Sequence, residues 1–139
     1  MKNKNIESQF IGKETPFYYY DLNVLEDTLD AAIAASSKRG FHVHFAVKSN
    51  FNSRLLEMIQ AKGFGADCVS GNEVQRAIDA GFDAKMITFA GVGKSDKEIN
   101  LALEHDIFAF NVESIQELEV INELAAVKGR KAKVALRIN

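Results

Sequence analysis

The sequence predicts an α/β fold, a partial (β/α)8 barrel of the TIM type with about five of its eight strands present. Three observations predict it. Short β-rich apolar runs end at Lys48, Ser70, Gly91, Glu113 and Arg137, spaced by 22, 21, 22 and 24 residues, with helical periodicity between them. Helix-start and helix-stop residues fall in phase with that repeat. In the runs, one face is bulky and apolar and the other is small or polar.

Taken in order, residues 1–20 read as an N-terminal tail and an opening strand. Residues 1–7 have the character of a mobile tail, and Phe17, Tyr18, Tyr19 and Tyr20, after Pro16, read as an isolated strand whose aromatic rings serve packing. Residues 21–139 then form the N-terminal part of the barrel. Gly40, Gly63 and Gly81, each followed by phenylalanine, stand where helices should stop and release the chain toward the next strand. Residues 41–48 are a strand, followed by a helical stripe of Leu55, Leu56 and Ile59. Residues 64–70 are the next strand. Ser70-Gly-Asn-Glu73 follows as a capping box, in which serine and glutamate satisfy free amides at a helix start, and Val74, Ala77 and Ile78 continue that helix. Residues 86–91, the box Ser95-Asp-Lys-Glu98 and the stripe Ile99, Ala102, Leu103 repeat the unit. So do residues 107–113, the box Ser114-Ile-Gln-Glu117 and the stripe Ile115, Leu118, Ile121, Ala125. Residues 133–139 are a fifth strand.

This rhythm means a parallel sheet with right-handed crossovers, either open and doubly wound or closed into a barrel. Strand alternation favours the barrel. Val43, Phe45 and Val47 oppose His42, His44, Ala46 and Lys48; Phe108, Phe110 and Val112 oppose Ala109, Asn111 and Glu113; the aliphatic residues of the last run oppose Ala135, Arg137 and Asn139. An open parallel sheet is covered by helices on both faces and should be apolar on both. A barrel takes about 250 residues, so the chain is expected to be the front part of a longer protein, interrupted after strand five.

Composition narrows the function. At 47% hydrophobic, 26% charged and one proline, the chain is an ordinary folded one. A net charge of -2 gives no basic excess for nucleic acid or anionic lipid. The single cysteine, Cys68, excludes an intramolecular disulfide framework and fits a reducing compartment. No apolar run approaches the roughly 20 residues of a membrane helix, and the opening MKNKNIESQF lacks a signal-peptide core. The expectation is a cytoplasmic protein without nucleic-acid or membrane partners.

In a βα barrel, ligands gather at the C-terminal ends of the strands. There the sequence places Lys48, Asp67 or Ser70, Asn111, Glu113 and Arg137. Lys48 ends an apolar strand. Partial desolvation there would lower its pKa and favour the neutral amine, which can condense with an aldehyde. From spacing alone, a lysine snorkelling out of a strand end is the plainer reading. Asp67 and Arg137 can hold a cation and donate to an oxygen, or pair with each other inside the barrel. Asn111 and Glu113 read as loop supports, and capping suffices for Ser70. His42 and His44 have chelating spacing but no second ligand cluster follows, so no metal is expected. Gly91-Val-Gly-Lys-Ser95 has the end of a phosphate-binding loop, but Thr88 stands where that motif requires glycine. Cys68, inside an apolar strand, is a small hydrophobe.

Six segments then define a resemblance. Thr15-Pro-Phe-Tyr-Tyr-Tyr-Asp21, Phe45-Ala-Val-Lys-Ser-Asn50, Gly65-Ala-Asp-Cys-Val-Ser-Gly-Asn-Glu73, Phe89-Ala-Gly-Val-Gly-Lys94, Phe110-Asn-Val-Glu-Ser114 and Leu136-Arg-Ile-Asn139 occur in order and spacing. Together they resemble the N-terminal part of the pyridoxal-phosphate-dependent decarboxylases that share the alanine racemase-like barrel with ornithine decarboxylase. The combination leans toward the diaminopimelate branch. The resemblance implies that Lys48 carries pyridoxal 5'-phosphate, that Asp67 lies beside that lysine, and that Arg137 faces the cofactor ring. It implies an amino-acid substrate, loss of its carboxylate as carbon dioxide, L-lysine as product, and a homodimer. Serine at 49 and asparagine at 72 depart from the usual K-A-N and S-G-G-E without removing a reacting group. The family's phosphate-binding glycines, stacking histidine, pyridine-nitrogen glutamate and C-terminal β domain lie further along, so the 139 residues alone are expected to be inactive. A sister decarboxylase acting on ornithine, arginine or carboxynorspermidine, a non-catalytic barrel relative and a small self-contained α/β binding protein stand as alternatives.

Overall fold

The computed structural model describes residues 6–138. Residues 1–5, most of the expected tail, and Asn139, the expected last strand residue, lie outside the described residues. Five short strands, β1 (His44–Ala46), β2 (Gly65–Cys68), β3 (Ile87–Phe89), β4 (Ala109–Val112) and β5 (Val134–Leu136), pair in parallel in the order β1-β2-β3-β4-β5. Helices α1 (Leu22–Ser37), α2 (Ser53–Ala61), α3 (Gly71–Asp79), α4 (Asp96–Glu104) and α5 (Ile115–Val127) alternate with them. A doubly wound sheet reverses its strand order at a switch point. Here the order never reverses, which is the arc of a barrel.

The two faces divide as their alternation requires. On the outer face, Ala66, Cys68, Ile87 and Phe89 are fully buried and Phe110 and Val112 nearly so. They pack with Leu56 and Ile59 of α2, Val74 and Ala77 of α3, Ile99 and Ala102 of α4, and Ile121 of α5. Each large aliphatic side chain so buried contributes about 1.5–3 kcal/mol. On the other face stand Ala46, Asp67, Thr88 and Ala109, in register across four strands.

Some sequence expectations are corrected. Residues 17–20 form no strand. Phe10 instead packs on Phe17 and Tyr19 at 5.3 and 5.1 Å between ring centroids. Phe108 leaves the alternation of β4, since it precedes the first paired residue; its ring lies 6.3 Å from that of His44 and is half exposed. The aliphatic face of β5 is bare: Leu136 and Ile138 are 66% and 92% exposed, with no described helix over them. The helix stops hold, with φ of 67°, 83° and 89° at Gly40, Gly63 and Gly81. After α4 the same left-handed step is taken by Asp106 at φ 51°. No helix among the described residues is long and apolar enough to cross a membrane.

The boxed glutamates reach further than expected. Ser70 and Ser114 accept from the Glu73 and Glu117 amides at 3.3 and 3.1 Å. However, the Glu73 and Glu117 carboxylates accept from Val69 and Glu113, one residue before the cap, both at 2.9 Å. Glu98 accepts from its own Ser95 amide at 3.0 Å and, across to the start of α3, from Gly71 at 2.7 Å. The Ser95 and Gly71 amides hold the Glu98 carboxyl below the ordinary glutamate value, against the opposing effect of partial burial. With the folded value depressed, this stabilisation is complete above the unfolded glutamate value and is lost as pH falls through the folded one. Glu98→Gln is therefore expected to lower the urea midpoint at about pH 7, with the gap to wild type narrowing as pH falls below the ordinary glutamate value. An unchanged gap would refute the assignment.

Candidate functional site

Lys48 does not end β1. It lies in the 3-10 turn Val47–Ser49 that immediately follows, pinned on both sides. The Ser49 hydroxyl donates back to the Ala46 carbonyl at 2.7 Å. The Asn50 amide group donates to the Tyr20 hydroxyl at 3.0 Å, and its carbonyl oxygen accepts from the Asn52 amide at 3.0 Å. Asn52 in turn caps α2 through the Arg54 amide at 3.1 Å. The backbone carrying Lys48 is thus fixed between β1, the N-terminal segment and α2. Its side chain is exposed and makes no hydrogen bond or ion pair among the described residues. The expected desolvation is absent because nothing in residues 6–138 covers the turn.

Lys48, Asp67 and Arg137 line one pocket of about 610 Å³ at the C-terminal ends of the strands, together with Gly91, Asn111 and Glu113. That volume falls within the roughly 300–1,000 Å³ of small-molecule sites. Asp67 is the β2 partner of Thr88 in the ladder, and the Thr88 hydroxyl donates to its carboxylate at 3.2 Å. Arg137 does not pair with Asp67. Val112 opposes Leu136, so the next residues, Glu113 and Arg137, stand side by side, and the guanidinium donates to the carboxylate at 3.2 Å. The arginine side chain is 61% exposed and that of the glutamate 11%. Glu113 also accepts from the Gly91 amide at 3.3 Å, the loop support expected of it. Ser70 caps α3 and does not line this pocket. Cys68 faces the helices; burial first, then the nearby Glu73 and Asp67 carboxylates, push its thiol up to about 12. A thiol so protonated does not act as a nucleophile at neutral pH.

The sequence reading missed Lys94. Its ammonium turns inward and donates to the carbonyls of Gly91 at 2.8 Å and Asn111 at 2.9 Å and to the Glu117 carboxylate. A signal was present: a lysine between a strand end and a capping serine, with a glutamate one repeat further on.

A parallel βα sheet of barrel type, with a lysine amine, a carboxylate and a guanidinium gathered at its C-terminal rim, defines the class of small-molecule sites built from βα loops. The comparisons narrow that class. Residues 27–139 match the family described as pyridoxal-dependent decarboxylase, pyridoxal binding domain, and the chain belongs to that family. A diaminopimelate decarboxylase of Bacteroides thetaiotaomicron is 59% identical over 132 residues, covering 94% of this chain and 34% of the relative. The crystal structure of diaminopimelate decarboxylase from Helicobacter pylori complexed with L-lysine superposes with a TM-score of 0.83 at 40% identity, over 96% of this chain and 34% of that one. The arginine decarboxylase of Paramecium bursaria Chlorella virus, bound to agmatine, follows at 0.81 and 25% identity, over 96% and 34%. The chain spans about a third of the length of the curated relatives it matches.

Proposed function

We propose that the chain is the amino-terminal part of a pyridoxal-phosphate-dependent carboxy-lyase that converts meso-2,6-diaminopimelate to L-lysine and carbon dioxide. The observation that carries this reading is the convergence of Lys48, Asp67 and Arg137 on one pocket of about 610 Å³. These residues fit the cofactor: an amine without a competing partner suits its aldehyde, and the pocket has room for its ring. When bound, pyridoxal phosphate accepts the electron pair left behind as carbon dioxide departs. Lys48 would hold the cofactor through its Nζ. Asp67, steadied by the Thr88 hydroxyl, lines the same pocket and would offer it a carboxylate acceptor. Arg137, held by Glu113, would offer its remaining N–H donors to the cofactor. Identity to the Bacteroides relative and the L-lysine named for the Helicobacter structure favour diaminopimelate among amino acids. A homodimer in the cytoplasm, with the rest of the barrel and a β domain beyond residue 139, completes the proposed enzyme.

The test is product analysis on the full-length protein with pyridoxal phosphate, offered diaminopimelate, ornithine, arginine and carboxynorspermidine in parallel. Lysine formed from diaminopimelate at a kcat/KM well above the other three is the expected result. Preference for another substrate moves the protein to a sister decarboxylase. Turnover of none leaves a non-catalytic relative.

A further inference from the structure

We infer that Lys94 is a positioning residue of the pocket, clamping the ends of β3 and β4 and, through Glu117, setting the Glu113 carboxylate that holds Arg137. The inference rests on the cofactor reading above and assigns a role to the one lysine of the Gly91-Val-Gly-Lys94 stretch, which lacks the first glycine of the phosphate-loop pattern. The Lys94 side chain is 1% exposed and that of Glu117 12%. A buried ammonium is costly unless each of its three donors is used. Here each is: on the Gly91 carbonyl, the Asn111 carbonyl and the Glu117 carboxylate. The ammonium also lies 5.4 Å from the centroid of the Phe89 ring.

The chain of contacts leads back to the pocket. The second oxygen of Glu117 accepts from the Glu113 amide at 2.9 Å. The Glu113 carboxylate accepts from the Gly91 amide and from Arg137. Gly91 therefore contributes its carbonyl to Lys94 and its amide to Glu113, closing a ring of hydrogen bonds. Gly91, Asn111 and Glu113 all line the pocket, while Lys94 does not. An apolar residue of similar volume would fill the space of Lys94 yet leave two carbonyls and a carboxylate without their partner. The Glu113 carboxylate would then lose its fixed backbone, and Arg137 its fixed partner.

The experiment titrates full-length wild type, Lys94→Met, Glu113→Gln and the double variant with pyridoxal phosphate, reading the cofactor absorbance, and records the Tm of each. Lys94→Met is expected to raise the Kd about tenfold or more. The double variant should bind no more weakly than the weaker single one, because both changes act through Glu113. A Lys94→Met protein with a wild-type Kd and only a lowered Tm would overturn the inference, as would full additivity in the double variant. If Lys94→Met does not fold, Glu117→Gln, close in size and leaving the two carbonyl acceptors in place, takes its part in the same cycle. A wild type that fails to bind pyridoxal phosphate sinks the cofactor reading in the first arm. An unaffected Lys94 variant beside a binding wild type sinks this inference alone.

Discussion

Lys48→Met in the full-length protein is expected to abolish covalent cofactor attachment while leaving stability unchanged. Wild type treated with pyridoxal phosphate and then borohydride should yield one modified peptide, with the adduct on Lys48; the variant should yield none there. Decarboxylation should fall by about 10³-fold or more, because among the described residues no other amine lines the pocket to replace it. Stability should hold for the opposite reason. Lys48 is exposed and makes no hydrogen bond or ion pair among the described residues, and such surface changes stay within about 0.5 kcal/mol. Its backbone is fixed by Ser49 and Asn50, neither of which is altered. An adduct on another lysine, or turnover near wild type, would end the assignment of Lys48.

The fold was legible because its signals are local and repeat. Apolar runs, capping serines and left-handed glycines each follow from a few neighbouring residues, and their phase along the chain names a βα repeat. The inner face was legible for the same reason: alternation alone puts Asn111 and Arg137 on the side away from the helices. What spacing could not give was partnership. Arg137 meets Glu113 and not Asp67 because the β4–β5 register sets Val112 against Leu136, and register is decided by the assembled sheet. Lys94 was hidden likewise, since its acceptors come from two strand ends and a helix start. Lys48 presents the reverse case. Its position left both an aldehyde-condensing amine and a snorkelling lysine open until a resemblance chose the first, and the burial expected of it depends on residues that could cover the turn.

Gly65→Ala is expected to show the opposite pattern to Lys48→Met, with stability lost and the cofactor site spared. A Cβ at Gly65 would collide with the Met86 carbonyl oxygen and stand 2.7 and 2.8 Å from two carbons of the His44 ring. The imidazole is itself held, its Nδ1 3.3 Å from the Ala66 carbonyl. Neither neighbour yields easily. Met86 offers backbone at the entry to β3, and moving it disturbs the ladder that joins β2 to β3. Overpacking of this kind costs about 1–3 kcal/mol, and the involvement of backbone places the expected loss at the upper end. Urea unfolding of full-length protein measures it, and a loss under about 0.5 kcal/mol would show that the strands part freely. Adding His44→Ala should recover only part of the loss, since removing the imidazole leaves the Met86 carbonyl in place. Gly65 begins β2, at the end of the sheet away from Lys48, where a βα barrel keeps residues that serve stability. The folded fraction of Gly65→Ala should therefore still carry the borohydride adduct on Lys48, so that the two variants separate what holds this sheet together from what its rim does.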